Sequence, residues 1–192
     1  VEIFDRIVKA AEGAALGTGT TMDYEMIGGT HELLPNLTVQ KIMYDNLVKV
    51  GGVTYTDEEK AFAEKISETL GKGSPDISTA QIVQPYKETA QAYGSTDVGD
   101  VSYTVPTAGL GTATWVPGTP AHSWQAVAAG GMSIGSKGMM VAAKTLALTA
   151  MDIFESPKTI EAAKKELEAR RGKDFKYVPM LGNRPPALDY RK

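Results

Sequence analysis

The sequence holds 192 residues, 42% hydrophobic and 22% charged, with 20 basic side chains against 23 acidic ones and a net charge of -3. Such a chain is long enough to bury a sizeable core, and its interspersed charges advertise neither a nucleic-acid nor a membrane-surface partner. It contains no cysteine, which excludes disulfides and thiolate metal sites, fits a reducing cytoplasm, and leaves His, Asp and Glu as ligands for any metal.

Val1, Phe4, Val8, Ala11 and Ala15 recur at helical spacing, Ile3, Ile7 and Ala14 widen the stripe, and Gly17 supplies a stop, so a first amphipathic helix is expected. The pattern is already under way at Val1, with no initiator Met and no leader, and the chain therefore reads as a fragment. Residues 20 to 27 alternate and are rich in Thr and Tyr, as an extended strand would be, before Gly28-Gly29.

Leu33-Leu34-Pro35-Asn36 is a punctuation point: proline biases its predecessor away from helix, and Asn36 can cap a new helix. This second helix places Val39, Ile42, Met43, Leu47 and Val50 on one face and ends at Gly51-Gly52. Thr56-Asp57-Glu58-Glu59 is a capping box for a third, with Phe62, Ala63, Ile66 and Leu70 facing inward.

From Gly71 to Gly94 the Gly, Pro, Ser and Gln content predicts irregular surface structure, with one short strand near Ile82. Val101–Leu110 and Thr112–Val116 have the β-branched and aromatic content of two strands, which a parallel or mixed sheet could accept. After His122 a long Ala- and Met-rich helix is expected to run to Glu155; Lys137, Lys144 and Asp152 interrupt its apolar character, which argues against a membrane span. Ser156-Pro157 then caps and starts a last helix with Ile160, Ala163 and Leu167 inward, and the tail from Asp174 lies along the surface or in a partner contact.

Two superficial motifs are set aside. In Gly130–Lys137 the lysine stands one residue too far from the second glycine for a phosphate-binding loop, so these glycines read as permitting close packing before a helix. Asn36-Leu37-Thr38 matches a glycosylation acceptor, but nothing suggests a secretory route.

The informative stretch is GSTDVGDVSYTVPT, from Gly94, followed by TWVPGTPAHSWQAVAAGG, from Thr114. An acidic residue, Asp97, stands in a glycine turn, and a lone histidine, His122, comes after a rigid proline-glycine turn. Such turns fix side-chain direction, which a metal ligand needs, although one His and one Asp do not by themselves make a site.

These residues resemble the C-terminal signature of the aminobenzoyl-glutamate utilisation protein B family, within a superfamily of metal-dependent aminoacylases, carboxypeptidases and amidohydrolases. The similarity extends over most of the chain, including the LLPN turn and ESPKTIEAAKKELEARRG. It implies an α/β fold: the C-terminal half of a catalytic α/β/α sandwich at 35–192, preceded at 1–34 by the last helix and strand of an α+β lid and dimerisation domain.

The resemblance also implies roles. His122, with Ser123 after it, matches a metal ligand in a late turn; Asp97 orients ligands or substrate nearby; Asn36 matches a hinge asparagine that hydrogen-bonds substrate, or is simply a helix cap. His31 is a weaker candidate for reaching substrate. The family's His-x-Asp motif, bridging aspartate and paired glutamates, which include the general base, are absent from these 192 residues. The chain alone is thus expected to be inactive, and the complete enzyme to hold two divalent ions, zinc or manganese, and to cleave N-acyl amino acids, p-aminobenzoyl-glutamate foremost, with metal-activated water. The expected partners are the missing N-terminal portion and, through the lid, a homo- or hetero-dimer. A non-catalytic binding or assembly module derived from the same family is the alternative.

Overall fold

Local capping chemistry dictates most of the helix starts. In a computed structural model that describes residues 2–88, 94, 96–183, 185 and 188, the chain divides into two compact units, 31–177 and 1–30 with 178–192. Ser95 of the glycine-turn motif, part of the loop before it and much of the tail lie outside the described residues.

The smaller unit is built on α1 (Glu2–Thr18), none of whose residues is buried. Its apolar stripe, Ile3, Ile7 and Leu16, stays exposed, while Phe4 meets Tyr24 edge-on at 5.7 Å. Residues 20 to 30 are irregular, and no neighbouring strand pairs with them among the described residues.

The larger unit begins at α2 (Leu37–Val50), where Asn36 accepts the Val39 N–H on Oδ1 at 3.1 Å. The N–H groups of Leu37 and Thr38 find a partner far along the chain: the Glu166 carboxylate accepts them at 2.7 and 2.8 Å, and the Thr38 hydroxyl at 2.6 Å. Burial opposes ionisation of Glu166, but these donors and the Arg170 guanidinium outweigh it and lower its pKa. Glu166 belongs to α7 (Pro157–Arg171), which starts at Ser156-Pro157 and buries Ala163 and Leu167. Helix α2 thus packs on α7 and on α6 (Ser133–Glu155), where buried Asn46 donates to Asp152 at 2.7 Å.

Helix α3 (Asp57–Ser67) opens with the complete capping box of Thr56 and Glu59. Val53, Tyr55, Ala63, Ile66, Ile77, Val116, Ala129 and Ile134 form the core, drawn from α3, a 3-10 turn at Ile77–Gln81, α5 (Trp124–Gly130), the start of α6 and the connecting segments that carry Val53, Tyr55 and Val116. The single helix expected from His122 to Glu155 is interrupted at Gly131-Met132. The Gly130 carbonyl occupies the space that a Cβ on Gly135 would need, so the glycines do serve close packing.

Lys137, the residue that had suggested a phosphate loop, is committed to the protein itself. Its ammonium donates to Glu59 at 2.6 Å and to the Thr54 carbonyl at 2.7 Å. Burial would raise the Glu59 carboxyl, but Lys137, the Ser133 hydroxyl and the Thr56 N–H hold it at about 2. A carboxylate whose pKa is lowered on folding stabilises fully above its ordinary value of 4.5 and loses that contribution as pH falls toward about 2. Because Lys137 is partly solvated, we expect Glu59→Gln to cost ~1–2 kcal/mol at pH 7. In urea titrations the gap to wild type should narrow between pH 4.5 and pH 2; a gap independent of pH would refute the ion-pair account.

The α/β expectation is overturned: there is no β-strand among the described residues. Residues expected to open a strand at Val101 instead lie in α4 (Val98–Ser102), whose turn packs against the backbone of 31–32 through Gly99. The segment from Pro106 to Thr114 has no regular secondary structure, and helix α2 with its cap satisfies part of it in place of a second strand: the Thr107 carbonyl accepts from Asn36 N–H at 2.8 Å, and Gly109 exchanges two bonds with the Gln40 amide. β-Branched content marks a segment fit for a sheet, whereas a strand exists only where a neighbour pairs with it. No helix among the described residues is long and apolar enough to cross a membrane.

Candidate functional site

Among the described residues, His122 is the one non-glycine residue with a left-handed backbone, φ 58°. That conformation costs an L-residue on the order of 1 kcal/mol or more, and such strain persists where the surroundings impose it. Here Ser123 imposes it: its hydroxyl donates to the Pro120 carbonyl at 2.7 Å and accepts the Ala126 N–H at 3.2 Å, closing the turn and capping α5. Gln125, the next polar residue, is buried and donates to Thr69 at 3.2 Å, pinning the start of α5 to the turn that follows α3.

The imidazole itself is exposed and makes no hydrogen bond or ion pair among the described residues. It borders an open cavity of about 430 Å³ with Trp115, Ser123, Trp124, Ala126 and Val127. Motif reasoning singled out the histidine but passed over the two tryptophans, although the only two in the sequence flank it seven residues before and two after.

The other candidates stand elsewhere. Asp97 is exposed at the start of α4 without a capping bond from its side chain. Asn36 is 2% exposed, and both ends of its amide serve the fold, Oδ1 at the Val39 N–H and Nδ2 at the Ala163 carbonyl, 2.9 Å away.

His31 lies in a part-buried aromatic cluster in the larger unit. Its backbone N–H donates to Asp100 at 3.2 Å, its Nε2 is 3.9 Å from the same carboxylate oxygen, and its ring lies 5.1 Å from Tyr103 and 5.7 Å from Tyr177. Burial raises the Tyr177 phenol, and the hydrogen-bonded Asp100 charge adds to it; Tyr103 is raised by burial and by Glu32. Arg171 closes the cluster by donating to the Tyr103 carbonyl at 2.7 Å. Nothing in the spacing of Asp100, Tyr103 and Tyr177 announced their meeting with His31.

Among the described residues, no three His, Asp or Glu side chains converge closely enough to hold a metal ion. His122 offers one accessible imidazole in a fixed turn; the chain's other described residues do not complete a site around it.

No family model and no solved structure matches the chain. Among curated proteins it is 35% identical, over an alignment 188 positions long, to the B subunit of the p-aminobenzoyl-glutamate hydrolase of Escherichia coli (strain K12). The match covers 85% of this chain and 39% of that protein, so the chain spans well under half the length of its relative. The resemblance expected from the 94–131 motifs is thus found, to the B subunit of a p-aminobenzoyl-glutamate hydrolase, and the similarity extends over most of this chain.

Proposed function

We propose that this chain forms part of an amidohydrolase that cleaves N-acyl amino acids, with p-aminobenzoyl-glutamate as the leading substrate. The observation that carries this reading is the 35% identity to a named hydrolase subunit across 85% of the chain. The strained, exposed His122 supports it, because a rigid turn presenting a free imidazole beside an open cavity is what a ligand or substrate contact requires.

In this reading His122 gives one nitrogen to a divalent ion, zinc or manganese, and the remaining ligands of a two-metal centre come from polypeptide outside these 192 residues. Such an ion supplies Lewis acidity and an acidified water when bound. Asp97, free at its turn, orients a ligand or substrate. The role of Asn36 is carried by its backbone-holding amide, which keeps the start of α2 in place, and His31 contributes through its network with Asp100. Residues 1–34 and 35–192 act as lid-derived and catalytic portions, the lid portion supporting dimerisation, in the cytoplasm.

The test is release of glutamate from p-aminobenzoyl-glutamate by the intact protein carrying this chain, together with its bound-metal content. Hydrolysis with stoichiometric metal is expected. Tight binding of a partner with neither hydrolysis nor metal would favour the assembly module instead.

A further inference from the structure

Two tryptophans of a 192-residue chain meet at one cavity, and both stay exposed, Trp115 at 39% and Trp124 at 60%. Indole is the largest apolar side chain, and leaving two in water beside exposed Val127 forgoes a substantial part of the stabilisation their burial would give. Neither is loosely placed. Trp124 is the first residue of α5, directly after the cap Ser123, and the Trp115 indole lies against Gly130, where an added Cβ would sit 3.6 Å from Nε1. Neither indole N–H has a partner among the described residues.

The remaining lining narrows the occupant. No carboxylate, lysine or arginine borders the cavity; its polar members are His122 and Ser123, and Ser123 is already engaged in the turn. Such a surface suits a neutral, flat π-system, since two indole faces favour offset or edge-on aromatic contacts over charge pairing. A volume of about 430 Å³ admits a substituted benzene ring and its amide.

We infer that Trp115 and Trp124 form an aryl subsite beside His122, which receives the aromatic acyl group of the amide substrate. The inference rests on the amidohydrolase reading above, and it assigns recognition of the acyl side, as opposed to the amino-acid side, to this cavity.

Because the chain's tryptophans both line the cavity, their fluorescence reports on it directly. In the full chain, N-benzoyl-glutamate should shift the emission saturably and protect it from acrylamide quenching, while N-cyclohexanecarbonyl-glutamate, similar in size but without a π-face, should bind at least several-fold more weakly. Trp124→Leu, read by the remaining tryptophan, should weaken the aryl ligand by about twofold to tenfold, and Trp124→Phe should restore most of it. Equal affinity for both acyl groups would overturn the subsite. So would tryptophans already shielded from acrylamide before ligand is added, which would mean that polypeptide covers the face. In the intact hydrolase, an unchanged aryl-to-cyclohexyl KM ratio in Trp124→Leu would remove the subsite while leaving the hydrolase reading intact. Aryl-selective binding without any hydrolysis would support the subsite and remove the hydrolase reading.

Discussion

On the amidohydrolase reading proposed above, His122→Ala in the intact protein should lower kcat/KM for p-aminobenzoyl-glutamate by more than about 100-fold, since losing even a residue that merely supports a metal ligand costs roughly 10–100-fold. Bound metal should fall in parallel. Folding should not suffer, because the imidazole is exposed and makes no hydrogen bond that the fold uses. His122→Gly sharpens the test: at φ 58° glycine carries no Cβ penalty, so this variant should be as stable as wild type or more stable by roughly 1 kcal/mol, yet equally inactive. An inactive protein with a raised Tm would separate function from fold at this residue. Unchanged metal content and hydrolysis in both variants would remove His122 from the centre.

A large structural effect is expected at Gly99. Its α-carbon lies so close to the backbone of 31–32 that an added Cβ would fall well inside van der Waals contact with the His31 carbonyl and also crowd the Glu32 carbonyl oxygen. Both obstacles are backbone, held by the His31 N–H to Asp100 and by the Leu34 N–H to Ser102, so neither can rotate away as a flexible side chain would. Gly99→Ala should therefore cost on the order of 3 kcal/mol, the range of strongly overpacked sites. Thermal denaturation would measure it. Gly109, where an added Cβ meets nothing within 4 Å, provides the control and should tolerate alanine with little change.

Legibility in the sequence tracked the range of the interaction. Thr56 with Glu59, Asn36, Ser156-Pro157 and Gly51 announce helix ends because the partners lie within a few residues, and the helices start and stop there. The segments at 20–27 and 101–116 misled for the opposite reason: Thr, Val and Tyr fit them for a sheet, but pairing depends on a distant neighbour, and side chains of α2 took part of that place. Of the candidate site, the His122 turn could be located from Pro117-Gly118 alone. Its positive φ depends on the Ser123 bonds, and its two indoles meet there only once α5 has turned back. The Glu166 clamp was equally hidden, since one carboxylate in a run of alternating charges carries no local sign of its task.

That clamp has a bearing on the order in which the polypeptide acquires its structure. The first N–H groups of α2 are satisfied by a residue 129 positions later, and the Asn36 amide by a carbonyl 127 positions later. During synthesis α2 emerges long before α7, so its leading turn must wait, hydrated and frayed, while the 129 residues up to Glu166 are made. Closing so long a loop is an entropically slow event, and it places completion of α2 among the last steps of folding rather than the first. A ribosome-bound chain stopped ahead of Glu166 would therefore carry an α2 whose leading amide protons still exchange freely with solvent.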